Sequence, residues 1–201
     1  MTSLAPTAYH LRCCRCGTEM ADDGLVLAHR GCDTPALLQT VYAAAKPERS
    51  NTMTGPFRYC NWLPVRRVFP ETYGPIVYRS EALAQCLQLE NLYIAFSGYW
   101  PERGAFMRTC SFKELEACTV LARLPDRFHE ILVITSAGNA ARAFIRACSL
   151  YRIPALIIVP EWSIPMLWQE KEPENCVRVV ALGGNCDYAD VISFAGGICQ
   201  R

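Results

Sequence analysis

From residue 80 onward the chain alternates short apolar runs with longer segments of helical period, and this alternation restricts the fold more than any other feature. The pattern predicts helices over 80–87, 111–124, 140–151 and 188–199, with Ser80 opening the first. It predicts strands over 91–96, 131–135, 154–159 and 177–182. Strands interleaved with helices imply an α/β fold built on a mainly parallel sheet. Right-handed crossovers then gather the strand-to-helix loops along one sheet edge, where ligands bind in such folds.

Upstream of this region the chain reads differently. Residues 1–45 form a cysteine-bearing head that ends in an apolar stretch over 34–45. Residues 46–80 are rich in Pro, Gly, Arg and aromatics, with little periodicity, and read as a linker arm. The chain therefore divides into a head (1–45), an arm with the first helical segments (46–130), and a series of βα units (131–201).

Composition excludes several function classes. Hydrophobic residues make up 51% and charged residues 19%, which suits a packed core. The net charge is +1, so no global field attracts nucleic acid or a membrane surface. The apolar runs are far shorter than the roughly 20 residues a bilayer span requires. Residues 1–6 lead into no long apolar run, so no secretory signal is expected. The 12 cysteines sit mostly singly in apolar segments. Cys86, Cys118, Cys148 and Cys199 are expected as small buried groups in helices, with thiols reduced in a cytoplasm.

Four constellations could carry chemistry. Lys113, in Thr109-Cys110-Ser111-Phe112-Lys113-Glu114, lies near a predicted helix start. The helix dipole there disfavours an ammonium, and Phe112 and Leu115 would add desolvation, so the amine could act as a nucleophile. An ordinary surface lysine is the plainer alternative. The loop Ser136-Ala137-Gly138-Asn139-Ala140 joins an apolar strand to a helix. Its small residues admit a ligand to the backbone, its free amides could hold a carboxylate, and Asn139 could donate to an oxygen anion. A capped turn is the competing reading.

Cys13-x-x-Cys16 and His29-x-x-Cys32, separated by 12 residues, have the spacing of tetrahedral zinc ligands. Cys14 leaves the register of the first pair open, and unliganded cysteines remain the alternative. Gly183-Gly184-Asn185 follows a strand and precedes a helix, but it lacks the spacing of either common nucleotide motif and reads better as a turn.

Taken together, Ser111-Phe112-Lys113 followed by a strand and Ser136-Ala137-Gly138-Asn139 resembles the fold-type II pyridoxal-phosphate (PLP) enzymes, which include threonine synthase and cysteine synthase. The head with Ala36-Leu37-Leu38 is similar to threonine-synthase-like members. Gly55-Pro56-Phe57-Arg58-Tyr59, Tyr78-Arg79-Ser80-Glu81, Asn91-Leu92-Tyr93-Ile94, Gly98-Tyr99-Trp100-Pro101-Glu102 and the stretch from Thr109 to Ala117 resemble the cysteate-synthase branch. Met107-Arg108-Thr109-Cys110 stands where threonine synthases usually read Pro-Thr-Gly, which favours that branch.

The resemblance implies a fold like that of the tryptophan synthase β subunit, with parallel sheets and helices. It implies Lys113 as the Schiff-base lysine for PLP, Asn139 beside the phenolate oxygen of PLP, and Ser136, Ala137, Gly138, Asn139 and Ala140 around the substrate carboxylate. The implied reaction converts O-phospho-L-serine and sulfite to L-cysteate and phosphate, a step of coenzyme M biosynthesis. Both exchanged groups are anions, so Arg103, Arg108 and Arg142 are candidate partners. A homo-oligomer is compatible with this reading. The phosphate-binding loop and the partner of the pyridine nitrogen are not legible here, so a partial chain is expected. A threonine-synthase-like activity on another phosphorylated amino acid is one alternative. A non-catalytic zinc-binding interaction fragment is the other.

Overall fold

The computed structural model describes residues 2, 3 and 7–199. The chain divides into two compact units, residues 1–72 with 118–128, and residues 73–117 with 129–201.

In the first unit, β1 (Thr2–Ser3), β2 (Tyr9–Cys13), β3 (Glu19–Met20), β4 (Leu38–Tyr42) and β5 (Arg67–Val68) form two small antiparallel sheets. One has the order β3-β2-β4, and the other pairs β1 with β5. Along β2, Leu11 and Cys13 point inward while Arg12 points out, the period-two pattern of a half-buried strand. Residues 55–62 form a short 3-10 segment that buries Phe57 against the edge of Phe69.

This unit includes the C-terminal half of helix α2 (Lys113–Arg123), whose first five residues belong to the second unit. Arg123 clamps the carboxylate of Asp22 with Nε and Nη2 at 2.9 and 2.7 Å, and Nη2 also donates to the Val26 carbonyl. The Tyr9 hydroxyl donates to the same carboxylate at 2.7 Å. Burial pushes the Asp22 carboxyl up, but Arg123, Tyr9 and the Gly24 amide outweigh it and hold it below its usual range.

The second unit begins with a hairpin-like pair, β6 (Ile76–Arg79) and β7 (Tyr93–Phe96), which are antiparallel around the short helix α1 (Glu81–Cys86). A second antiparallel pair, β8 (Tyr99–Trp100) and β9 (Ala105–Phe106), turns through a 3-10 segment at Pro101–Arg103. The expected strand over 91–96 thus exists, but it does not join the parallel sheet. The four residues between β8 and β9 are too few for a parallel crossover, so that pair can only be antiparallel.

The parallel sheet is confined to β10 (Leu132–Thr135), β11 (Ala155–Pro160) and β12 (Val177–Leu182), in that order. Helix α3 (Asn139–Tyr151) connects the first two, and α4 (Tyr188–Cys199) follows the third. Central β11 is Ala-Leu-Ile-Ile-Val-Pro and nearly all buried, as a parallel strand covered on both faces should be. Val191 and Ala195 of α4 pack on Ile158, with Val133, Leu156 and Leu182 around them. Ile157 and Val159 face the other way and are fully buried; α3, the other helix against β11, accounts for that.

Helix α3 can approach closely because its buried face carries Ala141, Ala143 and Ala147. It ends on Arg152 in the left-handed region, where the Ile153 amide bonds back to the Cys148 carbonyl before Pro154 starts the exit.

Two of the expected buried cysteines are not buried. Cys118 and Cys148 lie inside α2 and α3 as anticipated, but Cys86 and Cys199 are exposed at the ends of α1 and α4. Each is the last residue of its helix. Among the described residues, no helix is long and apolar enough to cross a membrane.

Candidate functional site

Lys113 is the first residue of α2, and the segment before it is held by a buried carboxylate. Glu114 is 3% exposed and accepts from both the amide and the hydroxyl of Thr109, at 2.8 and 2.9 Å. Ser111 completes the helix start: its carbonyl accepts the Glu114 amide, and its hydroxyl accepts the Lys113 amide at 3.3 Å. The intervening Cys110 takes a positive φ of 51° to make this tight approach.

The Lys113 side chain is half-buried and its ammonium pairs with Glu116, one turn on, while the Phe112 ring centroid lies 5.5 Å away. Phe112 itself is 61% exposed. The ring therefore lies beside the ammonium while staying largely open to solvent, so it adds little burial to the amine.

The asparagine loop sits at the C-terminal edge of the parallel sheet. Ser136 extends the strand pairing by donating its amide to the Ile158 carbonyl, and its buried hydroxyl accepts the Gly138 amide at 3.2 Å. Gly138 is the residue before α3, and no side chain caps the helix there. The first amides of α3, at Asn139 and Ala140, have no carbonyl of their own helix to bond. Space beside Gly138 is open: a side chain there would meet nothing within 4 Å. Ala137 completes the stretch, half-buried like Gly138.

Arg142 brings the two segments together. It is 6% exposed, with Nη2 donating to the Thr109 carbonyl at 2.6 Å and Nη1 to the Asn139 side-chain oxygen at 3.3 Å. Its Nε donates to the Trp168 carbonyl at 3.2 Å, and the guanidinium lies 3.4 Å from the Trp168 ring centroid. Burial lowers its pKa below the usual arginine value, with Cys110 and Glu114 opposing.

The other two arginines are engaged differently. Arg108 pairs with Glu170 at 2.9 Å and lies over Tyr99, while Arg103 stacks on Trp100 and Tyr78. The sequence indicated arginines near the motifs but not this division of labour, which depends on the positions of Thr109 and Trp168.

Gly183-Gly184-Asn185 forms a turn, with Gly184 in the left-handed region at φ 78°. A side chain at Gly183 would come within 3.2 Å of the Glu161 carboxylate. An acidic group so close to the loop repels phosphate, which favours the turn reading.

The head gathers the four metal-ligating side chains named by their spacing. The ligand atoms of Cys13, Cys16, His29 and Cys32 all lie within 4.8 Å of one another. Cys13 and Cys32 sulfurs are 3.8 Å apart, and His29 Nδ1 lies 3.4 and 3.5 Å from the sulfurs of Cys16 and Cys32. A tetrahedral ion with bonds of about 2.3 Å to sulfur and about 2.0 Å to nitrogen sets its sulfurs about 3.8 Å apart. It sets sulfur and nitrogen about 3.5 Å apart. These three distances match those edges, so the cluster could hold a metal ion.

The backbone explains the match. Cys13 ends β2, its carbonyl accepts the Gly17 amide, and its sulfur accepts the Arg15 amide at 3.4 Å. His29 is fixed by paired main-chain bonds to Ala36. Gly31 lets the ring fold back, since any side chain there would come within 2.7 Å of His29 Nε2. Cys14 is exposed and lies outside this cluster.

Thr18 donates to the Cys16 sulfur from its hydroxyl and its amide, drawing that thiol down to about 6. Burial and the neighbouring sulfurs push Cys32 up to about 11. Crowded thiols resist sharing more than one negative charge, a conflict that a bound cation removes.

No family model matches the chain. Three curated relatives, each named cysteate synthase, are similar to it across nearly its full length. That of Methanosphaerula palustris is 45% identical over 190 residues, covering 93% of this chain and 43% of the relative. That of Methanosarcina acetivorans is 40% identical over 190 residues, covering 94% and 45%. That of Methanoculleus marisnigri is 40% identical over 192 residues, covering 96% and 43%. The chain therefore spans less than half the length of these relatives, and over that span it is similar to the cysteate synthases.

Proposed function

We propose that this chain supplies the lysine-bearing and asparagine-loop part of a cysteate synthase, which converts O-phospho-L-serine and sulfite to L-cysteate and phosphate with PLP. The similarity to relatives of that name over more than nine-tenths of the chain carries the reading. The residues present fit PLP at its reactive end. A primary amine stands at a helix start whose approach is clamped by Glu114, and an amide donor and open backbone stand at the end of β10.

When bound, PLP acts as the electron sink that lets the substrate lose its α-proton and its β-phosphate. Lys113 Nζ is the atom to hold the cofactor and, once released from it, to accept that proton. Its pairing with Glu116 must open for either role. The Asn139 side-chain NH2 would donate to the phenolate oxygen, and the backbone amides of Asn139 and Ala140 would be available to the substrate carboxylate. Ser136 and Gly138 hold the loop in the shape that presents them. Arg142 is committed to protein acceptors, so phosphate or sulfite would meet Arg103, or Arg108 once it parts from Glu170.

The test is covalent trapping. The 201-residue chain, and the same chain continued with the remaining segment of the M. palustris relative, are incubated with PLP and reduced with borohydride. Peptide mapping should find the label on the segment containing Lys113, and the unreduced continued chain, given O-phospho-L-serine, should form cysteate and release phosphate over many turnovers only when sulfite is added. Label on Lys46 or Lys171 instead, or unchanged turnover in Lys113→Ala, would overturn the reading.

For the head we propose a structural zinc ion held by Cys13, Cys16, His29 and Cys32, supported by their gathering within 4.8 Å and by three ligand-to-ligand distances close to tetrahedral edges. Four protein ligands leave no open position for a reacting water, so its role is to fix the head rather than to catalyse. The thiols must stay reduced for it, in keeping with a cytoplasmic protein.

A further inference from the structure

We infer that Arg142 is a positioning residue that fixes which way the Asn139 side-chain amide faces, and so fixes the donor that Asn139 presents to an anionic ligand. The inference rests on the function proposed above. An asparagine amide has an accepting and a donating end of nearly equal shape, and only its partners decide which end faces a ligand. Asn139 is otherwise exposed at the start of α3, so the turn around it does not make that choice. Arg142 does: a guanidinium can only donate, so Nη1 at 3.3 Å selects the amide oxygen and turns the NH2 outward.

Arg142 can impose this orientation because its own position is set elsewhere. Nη2 is tied to the Thr109 carbonyl, Nε to the Trp168 carbonyl, and the Trp168 ring covers one face. Asn139 is thereby registered to main chain four positions before Lys113. A direct role on a substrate anion fits poorly, since all three guanidinium nitrogens already donate to protein oxygens and the residue is 6% exposed. Lysine cannot reproduce the arrangement, because a single ammonium does not reach three divergent acceptors in a plane.

The experiment has two arms. In the first, the side-chain amide proton pair of Asn139 is assigned in the 15N-labelled chain by its loss in Asn139→Ala. Arg142→Lys should move that pair and speed its exchange with water; an unmoved pair would overturn the inference.

In the second, PLP affinity is read from its visible absorbance in a double-mutant cycle. Arg142→Lys should weaken binding about tenfold in the parent and by less than about twofold in Asn139→Ala. Equal losses in both backgrounds would overturn the positioning role. Should Arg142→Lys melt the chain, Asn139→Asp keeps the acceptor for Arg142 but removes the donor. It should lose PLP as Asn139→Ala does, and parent-like binding would overturn the inference. Failure of the parent to take PLP on Lys113 would refute the proposed function, while the amide arm would still decide the orientation.

Discussion

Asp22 and Arg123, 101 positions apart in the chain, form a two-pronged ion pair in which the Asp22 side chain is only 2% exposed. A carboxylate buried this deeply is stable only because Arg123, Tyr9 and the Gly24 amide meet its oxygens. The pair ties the head to the C-terminal half of α2. Its partners hold the Asp22 carboxyl below its usual range, so the folded state binds that proton more weakly than the unfolded chain does.

The sign of the pH effect follows. A depressed carboxyl contributes stability above the unfolded value of about 3.9, and that stability drains away as pH falls through the folded value. Thermal melting against pH should show this loss in the acid range. Asp22→Asn should melt lower at neutral pH, by the equivalent of about 3 kcal/mol, and should show a flatter acid limb. Equal acid limbs in the two proteins would contradict the assignment of Asp22.

Metal analysis should find about one zinc per chain in protein prepared without chelator. Cys13→Ser and Cys32→Ser should lose it, and Cys14→Ser should not, since Cys14 lies outside the cluster. Cobalt exchanged into the site should show the intense visible bands of a tetrahedral thiolate complex. A chain free of metal, with no such bands on adding cobalt, would remove the zinc proposal without touching the proposed chemistry at Lys113.

Glu114, buried in the first turn of α2, should matter to stability. Glu114→Ala leaves the buried amide and hydroxyl of Thr109 without their acceptor, at a cost of about 1–3 kcal/mol. Denaturant unfolding measures it. Glu116→Ala, which removes the exposed partner of Lys113, should cost less than Glu114→Ala. A reversal of that order would show that the clamp before Lys113 is misassigned.

The local devices were legible in the sequence. The strand over 177–182 and the helix over 188–199 occur with the bounds their periodicity predicts. Cys13, Cys16, His29 and Cys32 could be picked out by spacing, because a four-ligand cluster on tight turns leaves its period in the chain. Lys113 and Asn139 could be placed at helix starts, because local signals mark where helices begin.

Tertiary structure decided what those signals could not carry. The strand at Tyr93–Phe96 pairs antiparallel with β6 rather than entering the parallel sheet, since strand partnership depends on contacts distant in sequence. Cys86 and Cys118 look alike in their helices, yet only Cys118 is covered. By sequence Arg142 is either a partner for an anionic ligand or a structural arginine, and in the fold it bonds Thr109, Asn139 and Trp168, residues up to 33 positions away. A hydrogen-bonding side chain takes its role from whichever acceptors the folded chain brings within about 3 Å of it, and no local pattern encodes that convergence.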